Sequence, residues 1–371
     1  MTPRENLIQL YHRKGYSTVP VGFILCDSLK EEFRKRYPDA TSYEDQFSFP
    51  YRIIVDPGFS WNFENLDMIP EQTKVDWTKY YPEGFQYDYK IDGWGIAHES
   101  SPTSMHMTKM HHPMKNFSTL EEMKAYPLPD YTKVDFSPLQ KKMDEIHKKG
   151  LAVFVWQECT IWETAWYLRS MDALMIDMAM EDEKAIWLLD QITDRSSYRA
   201  EIFASQGADI IGLGDDIGMQ DTIMMPLEMY QKWLKPRLKK VIEAAKNANP
   251  DVLISYHSCG YVEPFIPDLI DVGVDILNPV QPECMDFKNI HDKYGDKISF
   301  NGTIGTQKLM PFGKPEEIKA EVKRNLNIAG EKGGLFCCPT HMLEPEVPWE
   351  NIEAYVEACK KFRLNNESEK Q

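Results

Sequence analysis

His257 and Cys259 are the pair of residues whose types and spacing point most directly to chemistry. They end a run of β-branched and aromatic residues and are separated by one residue, so a strand would turn both side chains to the same side. An imidazole and a thiolate can ligate one metal ion, and together they favour zinc, which usually takes three protein ligands at catalytic sites. Cys338 and His341 are the candidates for the third ligand. The alternative is a buried structural pair, since cysteine is commonly a small core residue.

Carboxylates follow two other predicted strands. Asp215 and Asp216 follow one of them, and Glu158 follows the strand before it in the chain. The aspartates could orient a substrate, accept a proton or ligate a cation, but they could equally cap a helix or turn. Glu158 could face a pocket or be an ordinary solvated carboxylate. The position of these residues at strand ends is what makes them candidates.

Aromatic and amide side chains lie near the same predicted strand ends. Trp61, Trp156 and Trp162 could wall a pocket for a flat ligand, although tryptophans more often belong to the core. Asn278 and Asn301 stand at the ends of two further predicted strands. These five residues are candidates for contact with a substrate.

An alternation of short β-branched runs and longer amphipathic segments must position these residues. From about residue 150 onward it produces six strand-then-helix units. The predicted strands lie in LAVFVWQ, ADIIGLGDD, DVLISYHSCG, VDILNPV, KISFNGT and GGLFCCPTH. Strands that alternate with helices favour a parallel sheet with right-handed crossovers. Two earlier apolar runs, at 19–26 and 51–57, bring the predicted strands to eight.

These elements predict an α/β fold, a single (β/α)8 TIM-type barrel with an N-terminal helical extension. The polar, aromatic-rich stretch 61–138, after the second strand, is predicted to be an insertion over one mouth of the barrel. No linker or repeat interrupts the chain, so residues 1–371 are predicted to form one domain. The alternative is a doubly wound open sheet, but no predicted strand is followed by a glycine-rich phosphate-binding motif.

Composition excludes several classes of function. Lys and Arg number 42 against 58 Asp and Glu, a net charge of −16 that opposes binding to nucleic acid. No apolar run is long enough for a membrane helix. The number of cysteines, seven, is odd, and the N-terminal residues lack the pattern of a signal peptide. We therefore predict a cytoplasmic protein with reduced thiols.

The segment from Gly212 to Glu350 resembles the uroporphyrinogen decarboxylase-like superfamily, which includes the zinc-dependent corrinoid methyltransferases. The motifs that carry this resemblance are GLGDDIGMQ, PLEMYQKWLKPRLKKVIEAAK, YHSCGYVEPFIPDLIDVGVDILNPVQPEC, ISFNGTIGTQKLMPFG and PTHMLEPEVPWENIEA, with DGWGIA and HHPMKNFSTLEEMKAYPLPD as weaker matches upstream. True uroporphyrinogen decarboxylases have arginines near the N-terminus that hold the carboxylates of the substrate. This sequence has no arginine from Gly15 to Ile24, so decarboxylation of a tetrapyrrole is disfavoured.

The resemblance to the methyltransferase branch implies a zinc site. His257 and Cys259 match the first two ligand positions of that branch. The third position departs from it, because alignment on Pro339 puts His341 where the thiol-activating members have cysteine, with Cys338 three residues earlier. Histidine in place of cysteine would make the site less anionic and more Lewis-acidic, which suits a substrate oxygen better than a thiol.

The resemblance therefore implies an O-demethylase methyltransferase, which takes a methyl group from a small, methoxylated aromatic substrate. The methyl group would pass to cobalamin on a separate corrinoid protein, because the chain has no DxHxxG cobalamin-binding segment. The superfamily also tends to form homodimers. The roles implied are zinc binding by His257, Cys259 and either His341 or Cys338, substrate positioning by Asp215, Asp216 and Glu158, hydrogen bonding by Asn278 and Asn301, and an aromatic wall from Trp61, Trp156 or Trp162.

Three alternatives to this function remain. The first is methyl transfer in the other direction, from a methylated corrinoid to a thiol. The second is a decarboxylase acting on another substrate, which would need no zinc. The third is a corrinoid-docking protein without enzymatic activity.

Overall fold

The structure, a computed structural model, describes residues 1–59, 68–69, 71–82, 90–100 and 108–363. The strands are β1 (Tyr51–Val55), β2 (Lys90–Ile91), β3 (Ala97–Ser100), β4 (Thr108–His111), β5 (Ala152–Trp156), β6 (Ile210–Gly214), β7 (Leu253–His257), β8 (Ile276–Asn278), β9 (Ser299–Ile304) and β10 (Leu335–Pro339). The α-helices are α1 (Pro3–Tyr11), α2 (Asp27–Arg36), α3 (Tyr43–Gln46), α4 (Leu120–Lys124), α5 (Ser137–Lys148), α6 (Trp162–Arg169), α7 (Met171–Ala179), α8 (Glu183–Ser205), α9 (Leu227–Trp233), α10 (Lys235–Ala248), α11 (Ile266–Asp271), α12 (Phe287–Tyr294), α13 (Leu309–Phe312), α14 (Pro315–Ala329) and α15 (Trp349–Lys361). Short 3-10 helices span Gln72–Lys74, Trp77–Tyr80, Tyr131–Lys133 and Glu263–Phe265.

Seven of the strands form one parallel sheet in the order β1-β5-β6-β7-β8-β9-β10. Each strand pairs with the next one in the list, as Val155 does with Ile211 and Ile211 with Ile254. Strands β6 and β10 are buried along their whole length, as expected of parallel strands that are covered on both faces. Parallel pairing brings the C-terminal ends of all seven strands to one edge. The predicted α/β barrel is confirmed, with seven strands in place of the predicted eight.

The eighth predicted strand, at 19–26, is instead an extended segment that lies between β10 and β1. Its one bridge pairs Leu25 with Leu343, and the Cys26 N–H donates to the Leu343 carbonyl at 3.0 Å. Pro20 has no N–H to give to a ladder, and the Gly22 N–H donates to the hydroxyl of Tyr355 at 3.4 Å. The prediction of a strand was therefore wrong, because these backbone groups bond to a loop and to a side chain.

Helix α1 covers the N-terminal end of the barrel, as the predicted helical extension should. The Arg4 N–H donates to the carbonyl of Gly150, just before β5, and the Gly334 N–H, just before β10, donates to the carbonyl of Leu10. Arg4 also forms an ion pair with the buried Asp209 at 2.7 Å. These contacts leave the C-terminal ends of the strands open for a functional site. Within the described residues, no helix is both long enough and apolar enough to cross a membrane.

The described part of the insertion 61–138 contains a small antiparallel sheet, β2-β3-β4. The Trp94 indole N–H donates to the carbonyl of Gly58 at 2.8 Å, directly after β1. The Arg169 guanidinium, at the end of α6, donates to the carbonyl of Met114 at 2.7 Å. The insertion is therefore attached to elements that follow strands β1 and β5, on the side of the C-terminal strand ends.

A buried ion pair holds the loop after β1 to helix α8. Asp56 and Arg199 are 0% and 2% exposed, and the Nε of Arg199 lies 2.7 Å from a carboxylate oxygen of Asp56. The guanidinium also stacks 4.3 Å from the ring of Tyr131, which belongs to the insertion. A Cβ at Gly58 would lie 2.5 Å from the guanidinium carbon, so the loop needs glycine there. The pair thus joins barrel, helix and insertion.

We expect Asp56→Asn to lower the free energy of unfolding by about 3–5 kcal/mol, because it leaves the Arg199 charge buried without its counterion. The measurement is urea unfolding followed by circular dichroism. The matched control is Asp194→Asn on α8, the helix that carries Arg199. The Asp194 carboxylate pairs with Lys240 at the surface, so this substitution should change the free energy of unfolding by no more than about 0.5 kcal/mol. Equal losses in the two variants would contradict a structural role for the buried pair.

Candidate metal centre

His257, Cys259 and Asp216 lie together at the C-terminal edge of the sheet. His257 ends β7, Cys259 follows it by two residues, and Asp216 is the second residue after β6. Their ligand atoms all lie within 4.8 Å of one another, and no other such group of three occurs among the residues that the structure describes. The Nε2 of His257 is 3.5 Å from the Cys259 sulfur and 3.8 Å from a carboxylate oxygen of Asp216. Two ligands of one tetrahedral zinc ion are about 3.3–3.8 Å apart, so this donor set fits zinc.

Asn278 fixes the orientation of the His257 ring. The Nδ1 of His257 lies 2.6 Å from the side-chain oxygen of Asn278, whose amide nitrogen donates to the carbonyl of Asn301 at 2.9 Å. The Asn278 atom that faces the Asn301 carbonyl must be the amide nitrogen, because a carbonyl only accepts. The atom that faces His257 is therefore the amide oxygen, so Nδ1 of His257 donates to it. In the neutral imidazole that a metal requires, Nε2 therefore carries the lone pair, and it faces Cys259 and Asp216. Both ends of the Asn278 side chain are engaged in this arrangement, which differs from the substrate contact predicted for it.

Of the two predicted third ligands, neither belongs to the three-residue group. Cys338 is buried, and its thiol donates to the side-chain oxygen of Asn301 at 2.8 Å. Burial raises the pKa of this thiol well above its usual value, and it raises the pKa of the Cys259 thiol as well. The ring centroid of His341 lies 6.4 Å from that of His257. The geometry adds Asp216 as a candidate third ligand, and His341 and Cys338 stay predictions.

Asp215 and Asp216 have different tasks although they are neighbours in sequence. Asp215 is buried, and its carboxylate accepts the N–H groups of Ile161 and Glu163 at the start of α6 at 3.1 and 2.9 Å. Burial raises the pKa of Asp215 to about 7, and these N–H groups oppose the rise. Asp215 is thus a helix cap, the alternative considered for it. Asp216 accepts the Cys259 N–H at 2.7 Å.

Glu163 was not among the predicted site residues. Its carboxylate accepts the Asp216 N–H at 3.1 Å and the hydroxyl of Tyr167 at 2.7 Å. It therefore holds the backbone of Asp216 in place from helix α6. The sequence signal was weak, because a glutamate four residues before a tyrosine is ordinary on a helix surface.

Glu158 lies beside the three-residue group. One carboxylate oxygen is 4.0 Å from the Nδ1 of His257, and the side chain is 17% exposed. Burial raises the pKa of Glu158, while His257 and the indole of Trp156 oppose the rise. The carboxylate is thus placed to face a molecule bound at the strand ends.

The predicted aromatic residues occupy three different settings. Trp156, partly exposed at the end of β5, packs against Phe59 with ring centroids 5.9 Å apart. Trp162 is 0% exposed and belongs to the core. Trp61 lies outside the described residues. Trp156 is therefore the described tryptophan that can face a ligand.

We expect about one zinc ion per chain after metal-replete purification, measured by atomic emission. His257→Ala, Cys259→Ala and Asp216→Ala should lose the ion because each removes a donor atom. Cys338→Ala should retain it because this thiol is bonded to Asn301. Retention by Asp216→Ala together with loss in His341→Ala would contradict the assignment of the third ligand.

We expect Asn278→Ala to weaken zinc binding by about 10–100-fold, because the imidazole loses the acceptor that fixes its orientation. Competition with a chromophoric chelator measures the affinity. Asn289→Ala, at an exposed position on α12, is the matched control and should leave the affinity unchanged. An unchanged affinity in Asn278→Ala would show that the ring needs no such support.

The barrel and the residues at its strand ends have relatives among known proteins. Over 185 residues the chain is 26% identical to the methylated-thiol–coenzyme M methyltransferase of Methanosarcina mazei, covering 48% of this chain and 45% of the relative. It is 25% identical over 192 residues to the uroporphyrinogen decarboxylase of Pseudoalteromonas atlantica, covering 50% of each protein. The chain thus spans about half the length of these curated relatives.

The fold extends further than this sequence similarity. A solved structure described as a methyltransferase from Methanosarcina mazei superposes with a TM-score of 0.68 at 18% identity, covering 98% of this chain and 99% of that one. This match shows the shared barrel fold. At the level of sequence, residues 107–362 match the uroporphyrinogen decarboxylase (URO-D) family. Since the match covers well over half of the chain, the protein belongs to the URO-D family.

Proposed function

We propose that this protein is a zinc-dependent methyltransferase that demethylates a small methyl ether and passes the methyl group to the corrinoid of a separate protein. The observation that carries the proposal is the group formed by His257, Cys259 and Asp216, which offers one nitrogen, one sulfur and one oxygen donor. Such a site lies where barrel enzymes place their catalytic groups. The similarity to a methyltransferase of Methanosarcina mazei supports the same class of reaction.

The donor set favours an oxygen leaving group. It contains one thiol, because the second candidate, Cys338, is bonded to Asn301. Imidazole and carboxylate are harder ligands than thiolate, so a metal held by this set favours oxygen more than one held by two thiolates. When bound, zinc would supply a Lewis acid for the ether oxygen.

The surrounding residues bind and orient the substrate in this proposal. Trp156 and Phe59 form a wall for an aromatic ring, and Glu158 faces the bound molecule beside His257. In the reaction the bond between methyl carbon and ether oxygen breaks, and its electron pair stays on the oxygen. The methyl group would form its new bond to the reduced corrinoid of the separate protein.

Uroporphyrinogen decarboxylation is disfavoured in spite of the family. The substrate of that reaction carries several carboxylates, which need arginines to bind them. The stretch 15–24, where the decarboxylases have these arginines, contains none here, and its residues from 19 onward lie along the seam between β10 and β1.

A second candidate is methyl transfer involving a thiol. It is favoured by the relative from Methanosarcina mazei, whose name describes a methylated-thiol substrate. In this case the thiol sulfur would occupy the place of the ether oxygen.

The test follows the absorbance of the corrinoid when methoxylated aromatic compounds are added to the zinc-loaded protein and cob(I)alamin. We expect loss of the cob(I)alamin band and release of the phenol. Removal of zinc, or Cys259→Ala, should abolish turnover, whereas Cys338→Ser should retain it within about three-fold. Equal turnover after removal of zinc would contradict the proposal. Turnover only with methylated corrinoid and a thiol acceptor would establish the second candidate instead.

A further inference from the structure

The loops at the C-terminal edge of the barrel are strongly acidic. These loops are 56–59, 157–161, 215–226, 258–262, 279–286, 305–308 and 340–348. They contain nine Asp and Glu residues but one Lys, Lys308, and no Arg. Carboxylates therefore outnumber basic groups in these seven loops.

Several of these carboxylates are already neutralised. Asp56 pairs with Arg199, and Asp286 pairs with Arg324 at 2.9 Å. Asp215 accepts backbone N–H groups at the start of α6. These three are engaged in the fold and are not available to a ligand.

Glu158 is a carboxylate near the metal group that lacks a permanent positive partner. Among the described residues, the basic group that faces it is His257, at 4.0 Å. As a metal ligand this imidazole is neutral. The Cys259 thiolate and the Asp216 carboxylate would balance the 2+ charge of a zinc ion. The negative charge of Glu158 would then have no counterion. A half-buried carboxylate without a counterion is costly, and a bound cation would relieve that cost.

The aromatic wall beside Glu158 suits the same kind of ligand. The indole N–H of Trp156 is turned toward the carboxylate, and its ring packs against Phe59 with centroids 5.9 Å apart. Aromatic rings attract cations, so this ring beside a carboxylate suits an ammonium group. The two features are independent, since one is a charge and the other a ring.

We propose that the site selects methyl ethers that carry an ammonium group and rejects those that carry a carboxylate. The proposal rests on the proposed function, because it names the substrate class of the same site. Glu158 and the Trp156 ring bind the ammonium end of the substrate, and the methoxy end lies toward His257, Cys259 and Asp216. The charge of the substrate, more than the shape of its ring, then decides which compounds bind.

The first experiment measures binding to the zinc-loaded protein by calorimetry. The probes are 3-methoxybenzylamine, 3-methoxybenzyl alcohol and 3-methoxybenzoate, which share one ring and differ in charge. We expect the amine to bind about ten-fold tighter than the alcohol, and the alcohol tighter than the benzoate. Glu158→Gln should remove the advantage of the amine over the alcohol. A benzoate that binds as tightly as the amine would overturn the proposal.

A second measurement tests the charge without any ether. Cys284, half-exposed in the loop after β8 and 3.6 Å from Gln220 in the loop after β6, reports on this edge. In the zinc-loaded protein, a cationic methanethiosulfonate should modify Cys284 about ten-fold faster than an anionic one. Each rate is first divided by the rate of the same reagent with a small free thiol. The ratio should fall at about 0.5 M salt, where charges are screened, and in Glu158→Gln. Cys284→Ala is the control for the site of modification.

The two measurements separate the failure of this inference from failure of the proposed function. A rate ratio near one overturns the charge selection whatever the protein catalyses. A high ratio, with binding of the amine but no transfer of its methyl group to cob(I)alamin, supports the charge selection and refutes the proposed reaction. If none of the three ethers binds, the ratio of the two rates of Cys284 modification alone decides the inference.

Discussion

Hydrogen bonds from backbone N–H groups to carboxylates of neighbouring elements hold the candidate metal ligands in place. Asp215 accepts N–H groups at the start of α6, and Glu163 on that helix accepts the N–H of Asp216 in return. Asp216 in turn accepts the N–H of Cys259 from the next loop. Each bond joins two elements that follow different strands. Since a charged acceptor makes these bonds strong, three loops behave as one unit around the candidate metal centre.

The backbones of the loops after β6 and β7 lie in direct contact. A Cβ at Gly218 would lie 2.7 Å from the carbonyl oxygen of Cys259, and one at Gly260 would lie 2.6 Å from that of Met219. Gly260 also has φ +84°, a conformation that favours glycine. The glycines of GDDIG and SCG thus let two metal-bearing loops touch along their backbones. Larger residues would separate Asp216 from the histidine and cysteine.

The sequence was sufficient for the barrel and for two of the three members of the candidate metal group. Alternating strands and helices predicted the parallel sheet, and the spacing of His257 and Cys259 predicted that both face one side. The grouping of Asp216 with His257 could not be predicted, because the two are 41 residues apart and only the pairing of β6 with β7 brings them together. Cys338 was a plausible ligand by type, but whether a thiol reaches a metal depends on its rotamer and on its bond to Asn301.

The extended segment at 19–26 could not be distinguished from a strand for a similar reason. Its apolar residues fit the barrel wall, and its neighbours in space decide where its N–H groups bond. Gly22 bonds to Tyr355, which lies 333 residues further along the chain. The contacts at the barrel seam therefore join parts of the chain that are far apart in sequence. During synthesis the segment 19–26 cannot take its place in the barrel until β10 and α15 have been made, and its apolar face stays uncovered for that time.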